Sequence, residues 1–398
     1  MSPVRYVVRS YFGLSILCLS LDCGCSAKII NLGTNDGNDA TDNEQPQAVR
    51  LVDGESGICV SYFAHPIPYF VESSRLHWFE SLGNESSFQV LLRSCDIGNC
   101  AATITNSRAL QGSIYDYTCP LGDSLVLVDS DTIYWTAYQN GPILMHVGLA
   151  PESAFQSEAL PAETKGKFLV VNGFLYLATM DGGVFRCKIG SCSNSLERFA
   201  MTPPSGVAPF QNLAGGIFGK DDDYFYVAEN PPSGSAGRLL RVPFEVDATF
   251  DVLARLADTD DVRTAKLYEN NLYWLENTNT GQLKSCPKSG CADSPKVLMS
   301  GLQFASQVEV DSSNLYVLEA PQVHQIVSTS NLELDAPGHI LRCPITGCSA
   351  PSILLTTTTE YTLDNLVVDD QFVYVSGNYC SVPSKPSETC GYIAATPK

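Results

Sequence analysis

Basic residues are scarce in this chain. Of its 398 residues only 24 are Lys or Arg, against 43 Asp or Glu, and the formal net charge is −19. Surfaces that bind nucleic acid need clustered Lys and Arg to neutralise phosphates, and the basic residues here are scattered. We therefore expect no nucleic-acid partner. Apolar residues make up 44% of the chain, which favours a large buried core under a weakly charged surface.

Long apolar runs are also missing, and no segment after the first residues is long enough to span a bilayer. Residues 1–27 are typical of an export signal, because Arg5 and Arg9 precede a short, uncharged and mostly apolar stretch at 11–21. The signal predicts a secreted or extracytoplasmic protein.

Two cysteines near the end of this signal, Cys23 and Cys25, are candidates for lipidation, as in bacterial lipoproteins. Any contact with a membrane is expected only through such an anchor. Residues 28–48 are polar and predict a disordered tether, and residues 49–398 predict a single domain.

Segments with the helical period of 3.6 residues are absent, whereas a short aromatic strand recurs seven times. The copies are LHWF at 76–79, IYWT at 133–136, LYLA at 175–178, FYVA at 225–228, LYWL at 272–275, LYVL at 315–318 and VYVS at 373–376. Their spacing runs from 42 residues (Tyr134 to Tyr176) to 58 residues (Tyr316 to Tyr374). Repeats of about 40–50 residues are typical of four-stranded propeller blades.

Around each aromatic strand the sequence predicts a four-stranded unit. In the sixth copy an apolar run at 308–310 and the polar turn DSSN precede it, and strands at 338–343 and 353–355 follow. Seven such units predict an all-β, seven-bladed propeller of four-stranded blades, with six or eight blades as alternatives. We expect the protein to be a monomer.

The seventh unit is incomplete, since Gly391-Tyr392-Ile393 is its expected third strand and the sequence given ends at Lys398. A propeller left open there would expose a strand edge, which favours aggregation. The chain between Val49 and Phe63, which contains the apolar run at 57–60, is therefore expected to complete the last blade and close the ring.

Four cysteine pairs each bracket four residues that include a glycine. They are Cys95 and Cys100, Cys187 and Cys192, Cys286 and Cys291, and Cys343 and Cys348. Cysteines that flank such a short turn lie opposite each other on adjacent strands, within reach of a disulfide. An exported chain with an even number of cysteines after its signal favours disulfides.

The remaining cysteines are assigned by position. Cys380 and Cys390 flank the loop before the final strand and are expected to pair, which leaves Cys59 and Cys119 as a pair by elimination. Zinc is the alternative for the cysteine pairs, but each pair belongs to a different unit, and a zinc site needs two pairs to converge.

No catalytic signature is present. None of the five histidines (His65, His77, His146, His324 and His339) lies in an H-E-x-x-H pattern, and the glycine-rich stretch 233–237 is not a nucleophile elbow. The acidic stretch 221–223 is expected to form the turn between two strands of the fourth unit, and 258–261 is expected to be a solvated connection between units. No cofactor is predicted, and a calcium ion at 221–223 is the weak alternative.

Tryptophans at one position of the aromatic strand, Trp78, Trp135 and Trp274, suggest either a carbohydrate-stacking surface or packing between blades, and packing is favoured. The longest insertions are better candidates for function, because loops on a rigid scaffold usually carry it. These are residues 138–142, 230–236 and 321–337, the last with His324, Glu333 and Asp335.

The strands at 133–136 and 272–275 resemble the YWTD repeats of propellers in the low-density-lipoprotein receptor family. The unit Gly-to-Cys-Pro-x-x-Gly-Cys at 281–291 and 338–348 resembles secreted or lipoprotein propellers of bacteria. The chain departs from YWTD at Ala137, where that repeat has Asp, and seven copies differ from the six blades of the receptor family. The resemblance implies a propeller fold and an extracytoplasmic location, and it carries over no functional residue.

Three functions are compatible with these features. The leading hypothesis is a scaffold without catalysis that binds a protein or glycan partner through its loop faces. A central channel lined by small and apolar residues, with the acidic groups dispersed outside it, would favour this scaffold. The second is a hydrolase or lyase with a metal held by carboxylates at the central channel, which requires at least three Asp, Glu, Asn or His side chains to converge near the axis. The third is a purely structural component of the cell envelope.

Overall fold

The computed structural model describes most of the chain from Val49 onward. The described residues are 49–53, 69–72, 74–84, 87–97, 100–103, 105–112, 127–129, 131–138, 142–149, 154, 156–160, 168–178, 183–199, 201–208, 216–229, 237–256, 262–276, 281–291, 294–320, 337–357, 363, 365–380 and 389–398. The expected signal with Cys23 and Cys25, and the expected tether, lie outside them.

The described strands form seven antiparallel sheets of four strands each, which we call blades 1 to 7. Blade 1 consists of β2 (Tyr69–Glu72), β3 (Arg75–Asn84), β4 (Ser87–Asp96) and β5 (Thr105–Gly112). Blade 2 consists of β6 (Leu127–Asp129), β7 (Thr132–Tyr138), β8 (Pro142–Gly148) and β9 (Gln156–Ala159). Blade 3 consists of β10 (Phe168–Val171), β11 (Phe174–Ala178), β12 (Val184–Lys188) and β13 (Glu197–Arg198). Blade 4 consists of β14 (Gly216–Lys220), β15 (Tyr224–Glu229), β16 (Arg238–Pro243) and β17 (Asp251–Arg255). Blade 5 consists of β18 (Val262–Tyr268), β19 (Asn271–Glu276), β20 (Gln282–Pro287) and β21 (Lys296–Ser300). Blade 6 consists of β22 (Ala305–Val310), β23 (Asn314–Glu319), β24 (His339–Pro344) and β25 (Ser352–Thr356). Blade 7 consists of β26 (Asn365–Val368), β27 (Phe372–Cys380), β28 (Thr389–Pro397) and β1 (Val49–Asp53).

Among the described residues two helices, α1 (Cys100–Thr103) and α2 (Cys192–Ser195), interrupt the all-β pattern. Each is a single turn of four residues that starts at the second cysteine of a pair. The sequence predicted no helix, because a segment this short cannot show a 3.6-residue period.

The seven blades are arranged in a ring, as the repeat predicts. The first strands of neighbouring blades contact one another, as β14, β18, β22 and β26 do in turn, so the first strand of each blade lies nearest the axis. Consecutive strands run in opposite directions. The turns between strands 1 and 2 and between strands 3 and 4 therefore share one face, which we call the disulfide face. The connections from strand 2 to 3 and from blade to blade share the other, the loop face.

The N-terminal strand closes the ring, which confirms the prediction. β1 pairs antiparallel with β28, with Val49 opposite Ala395 and Asp53 opposite Tyr392. β1 occupies the first part of the segment from Val49 to Phe63 that was expected to close the ring. The apolar run at 57–60 lies outside the described part of the chain. Pairing with β1 covers an edge of β28 that would otherwise be open to other chains.

The hydrophobic core is divided among the interfaces between blades. The second strands are flanked by neighbouring blades on both faces, so they are buried on both, and β23 has four consecutive buried residues from Leu315 to Leu318. One cluster joins blades 3 and 4 through Tyr176, Phe199 and Phe225, whose ring centroids lie 5.6 to 5.7 Å apart. Burial on both faces explains why these strands are continuous apolar runs without alternation.

All four Cys-x4-Cys pairs form disulfides, as predicted, which rules out zinc at these eight cysteines. In the chain-entropy treatment a loop this short stabilises the fold by about 2 kcal/mol. Cys380 is paired in the sheet with Thr389, the residue before Cys390. The side chains of Cys380 and Cys390, and the whole of Cys59 and Cys119, lie outside the described residues, so both pairings stay predictions.

In blades 3, 5 and 6 the disulfide turn also connects the blade to the preceding one, which the sequence did not predict. The N–H of Cys291 donates to the carbonyl of Leu253 in blade 4 (2.9 Å), and the N–H of Cys348 donates to the carbonyl of Leu298 in blade 5 (3.0 Å). In blade 3 the N–H of Cys192 donates to the Glu158 carboxylate of blade 2 (2.9 Å). The bridges therefore hold turns whose backbone fastens adjacent blades.

The first disulfide has the same position at the closure of the ring. Cys95 and Cys100 belong to one core cluster with Tyr374 and Ile393 of blade 7. Helix α1, which begins at Cys100, contacts the closing strand β1. The first disulfide turn thus packs against blade 7, on the neighbour that precedes blade 1 in the ring.

His77 takes the place of the tyrosine that the other six aromatic strands carry. Its ring stacks on Phe70 with a centroid distance of 4.7 Å. Burial, and next to it the nearby charge of Arg75, lowers the pKa of His77 from 6.5 to about 4. The folded protein therefore favours the neutral imidazole at this position.

Replacing His77 with tyrosine is expected to reduce the loss of stability in mild acid. The unfolded chain takes up a proton at His77 at a higher pH than the folded chain does, so this residue destabilises the fold as the pH falls from 6.5 toward about 4. Allowing for partial solvent contact, we expect the effect to be about 1–2 kcal/mol. Urea unfolding of both proteins between pH 4 and 8 measures it. A difference between the two proteins that does not vary with pH would contradict the assignment.

Candidate functional site

On the disulfide face three aspartates share one set of contacts. One oxygen of Asp221, Asp311 and Asp369 accepts backbone N–H groups two and three residues ahead. The other oxygen accepts the hydroxyl of the tyrosine five residues ahead, at 2.7, 2.9 and 2.7 Å for the three aspartates in that order. These carboxylates fix the turn between strands 1 and 2 and anchor the tyrosine of the repeat.

Lysines of the following blade complete two of these groups. Lys288 of blade 5 donates to Asp221 (3.0 Å), and Lys398 of blade 7 donates to Asp311 (2.5 Å). Burial alone would raise the pKa of Asp221, but hydrogen bonds from Tyr226 and Lys288 outweigh it and hold that pKa below its usual value. An ammonium group therefore lies where the sequence left calcium as an alternative. In the described part of the chain no group of three or more His, Cys, Asp or Glu side chains is arranged to hold a metal ion.

The three tryptophans pack inside the protein. Trp78 and Trp135 are each 2% exposed and Trp274 is fully buried. The indole N–H of Trp274 donates to Glu276 (2.8 Å). Trp78 lies in a core cluster with residues of blade 7 and Trp274 in one with residues of blade 4, which confirms packing between blades for these two. All three rings are buried and are not available to stack on a carbohydrate.

Around the axis, polar side chains connect the first strands of neighbouring blades. Lys266 donates to Glu309 (2.7 Å), and the side chain of Gln307 bonds the backbone of Leu366 as both donor and acceptor (2.7 and 2.9 Å). Lys220 donates to the carbonyl of Val170 (3.2 Å). The described wall of the channel thus carries ion-paired and amide groups. It differs both from the small, apolar lining expected of a binder and from the carboxylate cluster expected of a metal enzyme.

A glutamate ends the second strand in blades 4, 5 and 6. Glu229 is 1% exposed and pairs with Arg238 of the adjacent third strand. Glu276 is 2% exposed and pairs with Lys284, also of the third strand, at 2.5 Å. Both carboxylates lie on the loop-face side of their blade, and each has a permanent cation beside it.

The third glutamate, Glu319 of blade 6, has different neighbours. It accepts the N–H of Gln303 (2.6 Å), and the residue opposite it on the third strand is His339, which itself bonds the Thr356 hydroxyl (3.1 Å). Burial raises the pKa of Glu319, and the Gln303 hydrogen bond and the charge of His339 only partly offset this. A carboxyl group with a raised pKa near a protein surface is a common feature of functional sites.

Phe304 lies directly beside this glutamate. It connects Gln303, whose N–H bonds Glu319, to Ala305, which is paired with Glu319 in the sheet. The ring is 58% exposed and the backbone is in the left-handed region at φ +53°, which is unfavourable for a bulky residue. The N–H of Ala320 donates to the Phe304 carbonyl (3.3 Å) and holds this conformation. Strained backbone of this kind is concentrated at binding and catalytic sites.

We call Phe304, Glu319 and His339 the blade 6 rim. Phe304 directly precedes β22, the innermost strand of the blade, so the rim lies at the loop-face mouth of the central channel. The longest predicted functional insertion begins one residue after Ala320 and ends at Pro337, two residues before His339. The rim therefore flanks both ends of that insertion.

The other sequence candidates lie largely outside the described residues. These are residues 139–141, 230–236, 258–261 and 321–336, together with His65, and the third candidate insertion includes His324, Glu333 and Asp335. His146 is described, and its Nε2 lies 3.4 Å from Glu158, the carboxylate that binds the blade 3 disulfide turn. His146 lies in blade 2, away from the rim.

The fold is that of a seven-bladed β-propeller with disulfide-linked turns. The chain matches no protein-family profile, and no curated protein matches it in sequence. Among solved structures it is similar to a virginiamycin B lyase from Staphylococcus aureus, with a TM-score of 0.52 and 10% identity over 85% of this chain and 97% of that one. It is also similar to YCF48 bound to D1 peptide, with a TM-score of 0.52 and 9% identity over 89% and 96% of the two chains. At these identities the similarity shows the fold alone.

Among the described residues, no helix is long and apolar enough to cross a bilayer.

Proposed function

We propose that this protein is an extracytoplasmic propeller scaffold that binds a protein or glycan partner on its loop face, at the blade 6 rim. The observation that carries the proposal is Phe304, a 58% exposed aromatic side chain on strained backbone at the mouth of the channel. Exposing a large aromatic ring in an unfavourable conformation costs stability, and a binding site is a common reason for a fold to retain it.

The contrast between the two faces supports this choice of surface. On the disulfide face the turns are cross-linked, and Asp221 and Asp311 are engaged by tyrosine and lysine. The loop face carries the insertions that differ in length between blades. A rigid ring with variable loops on one face is the usual plan of propellers that bind partners. YCF48, which shares the fold, was solved bound to a peptide.

Cysteine chemistry supports the proposed extracytoplasmic location. Disulfides persist in oxidising compartments, and four of them are present here. Together with the export signal expected at residues 1–27, these disulfides support a secreted protein or one anchored to the cell envelope through Cys23 or Cys25.

Replacing Phe304 with alanine is expected to reduce partner capture by at least about tenfold. An aromatic side chain that a partner buries at the centre of an interface contributes about 2 kcal/mol or more to binding, which corresponds to more than a tenfold change in affinity. The purified full-length protein is immobilised, incubated with envelope extract, and the captured protein or glycan is quantified by mass spectrometry. Val246 is the matched control, since it is an exposed apolar residue (46%) in the turn between strands 3 and 4 of blade 4, on the disulfide face. Equal capture by wild type, Phe304→Ala and Val246→Ala would overturn the proposed surface.

A further inference from the structure

The repeat itself contains a comparison that identifies what blade 6 lacks. Glu229, Glu276 and Glu319 occupy the same place, three residues after the tyrosine of the second strand. In blades 4 and 5 the third strand supplies a permanent cation to this carboxylate, through Arg238 and Lys284. In blade 6 the residue that matches Arg238 in register is His339, whose Nδ1 bonds the Thr356 hydroxyl (3.1 Å).

No other described residue replaces that cation. Within the described residues, hydrogen bonds to the Glu319 carboxylate reach only Oε1, from the N–H of Gln303. The insertion that follows, residues 321–336, contains neither Lys nor Arg in its sequence. Glu319 is also less deeply buried than Glu229 and Glu276, so a group from outside the protein can approach it.

Phe304 adds a second contact for the same kind of ligand. Aromatic faces attract Lys and Arg side chains and pack against their methylene groups. The net charge of −19 draws basic ligands toward the protein from solution. An acidic group with a raised pKa gains most from a nearby positive charge, which restores its ionised form.

We propose that the blade 6 rim binds a Lys or Arg side chain of a partner polypeptide, which supplies in trans the cation that Arg238 and Lys284 supply within blades 4 and 5. This inference rests on the proposed binding function and names the chemistry of its partner. A neutral glycan could stack on Phe304 but would leave the charge of Glu319 unmatched, so the contacts favour a polypeptide.

The test uses peptides, because peptides selected on the protein show directly which side chains it binds. A phage library of random peptides is selected on the full-length protein, and the dissociation constants of the enriched peptides are measured by fluorescence anisotropy. We expect enrichment of Lys and Arg, and affinity losses of about tenfold in Glu319→Gln and in Phe304→Ala. Asp222→Asn is the matched control, because it removes the same charge from an exposed position on the disulfide face.

His339→Arg provides an independent arm. This variant places in blade 6 the arginine that blade 4 carries at the matching position. The new arginine should form a salt bridge with Glu319 and so weaken the binding of basic peptides about tenfold or more. Because this variant adds a salt bridge, it is expected to fold at least as well as the wild type, and its thermal unfolding temperature checks this.

The outcomes separate the inference from the proposed function. Selected peptides without basic residues, or with affinities unchanged by Glu319→Gln and His339→Arg, would overturn the cation site. If Phe304→Ala still lost capture from envelope extract, the loop face would remain the binding surface. Capture of a glycan that depends on Phe304 but not on Glu319 would likewise retain the surface and refute the polypeptide ligand.

Discussion

Replacing Lys284 with methionine is expected to lower the free energy of unfolding by about 3–5 kcal/mol, because it leaves a buried carboxylate without its counter-charge. The side chain of Glu276 has no solvent exposure, and Lys284 reaches it at 2.5 Å. Without the ammonium group, Trp274 remains as a neutral donor to Glu276. Urea unfolding followed by circular dichroism measures the loss.

The matched double variant Glu276→Gln with Lys284→Met separates the charge from the packing. Glutamine keeps an acceptor for the Trp274 indole and carries no charge, so the double variant should recover most of the stability that the single variant loses. If the two variants were equally unstable, packing by the lysine stem and not the unpaired charge would be the cause.

Replacing Gly281 with alanine is the second large effect, with an expected loss of about 3 kcal/mol. The backbone at Gly281 is left-handed (φ +34°), and an added Cβ would lie 2.5 Å from the carbonyl oxygen of Leu302. That carbonyl belongs to the backbone, and the N–H of Leu302 donates back to Gly281 (3.3 Å), so neither strand can move away cheaply. Chemical unfolding gives the loss directly.

Gly173→Ala is the control for backbone strain alone. Gly173 is also left-handed (φ +76°), but an added Cβ there meets nothing within 4 Å. We expect its replacement to cost about 1 kcal/mol, from the left-handed backbone only. Equal losses at the two positions would mean that the close approach at Leu302 is relieved by a small shift of the strands.

The architecture could be predicted from the sequence because each blade repeats the same local pattern. Tyr316, for instance, lies in a short apolar strand after a polar turn, and the same arrangement occurs at Tyr374. The closing strand was predictable for a physical reason, since the last unit lacked a partner for β28. Its position at Val49–Asp53 could be located only to within the segment, because several short apolar runs there fit the pattern equally well.

The blade 6 rim was not predicted, and the reasons differ by residue. The importance of Phe304 comes from its backbone conformation and exposure, neither of which a single apolar residue in a connection reveals. The signal for Glu319 was present, because alignment of the second strands shows the glutamate in three copies. The alignment alone could not show that Arg238 and Lys284 neutralise the glutamates of blades 4 and 5. Arg238 lies opposite its glutamate in the sheet, as His339 does in blade 6. Lys284 lies two residues further along the third strand of blade 5, so alignment does not reveal its partner.

The contacts between blades were also beyond sequence reasoning. The Cys-x4-Cys turns were expected to brace single hairpins, and their bridges form as expected. The acceptors on the preceding blade are the carbonyls of Leu253 and Leu298 and the side chain of Glu158. Backbone carbonyls carry no sequence signature, so a turn that fastens two blades looks in sequence like a turn that serves one.

Closure of the ring by β1 sets an order for folding. Most core clusters join blades that are neighbours in the chain, so they can form as soon as two successive blades are complete. β1 is synthesised first yet pairs with β28, which comes last, so Val49 meets Ala395 only when nearly the whole chain is available. Long-range pairing of this kind is slow, and an unpaired strand is prone to aggregate while it waits. The N-terminal strand therefore stays unpaired until the seventh blade is formed, and ring closure is expected to be the last step of folding.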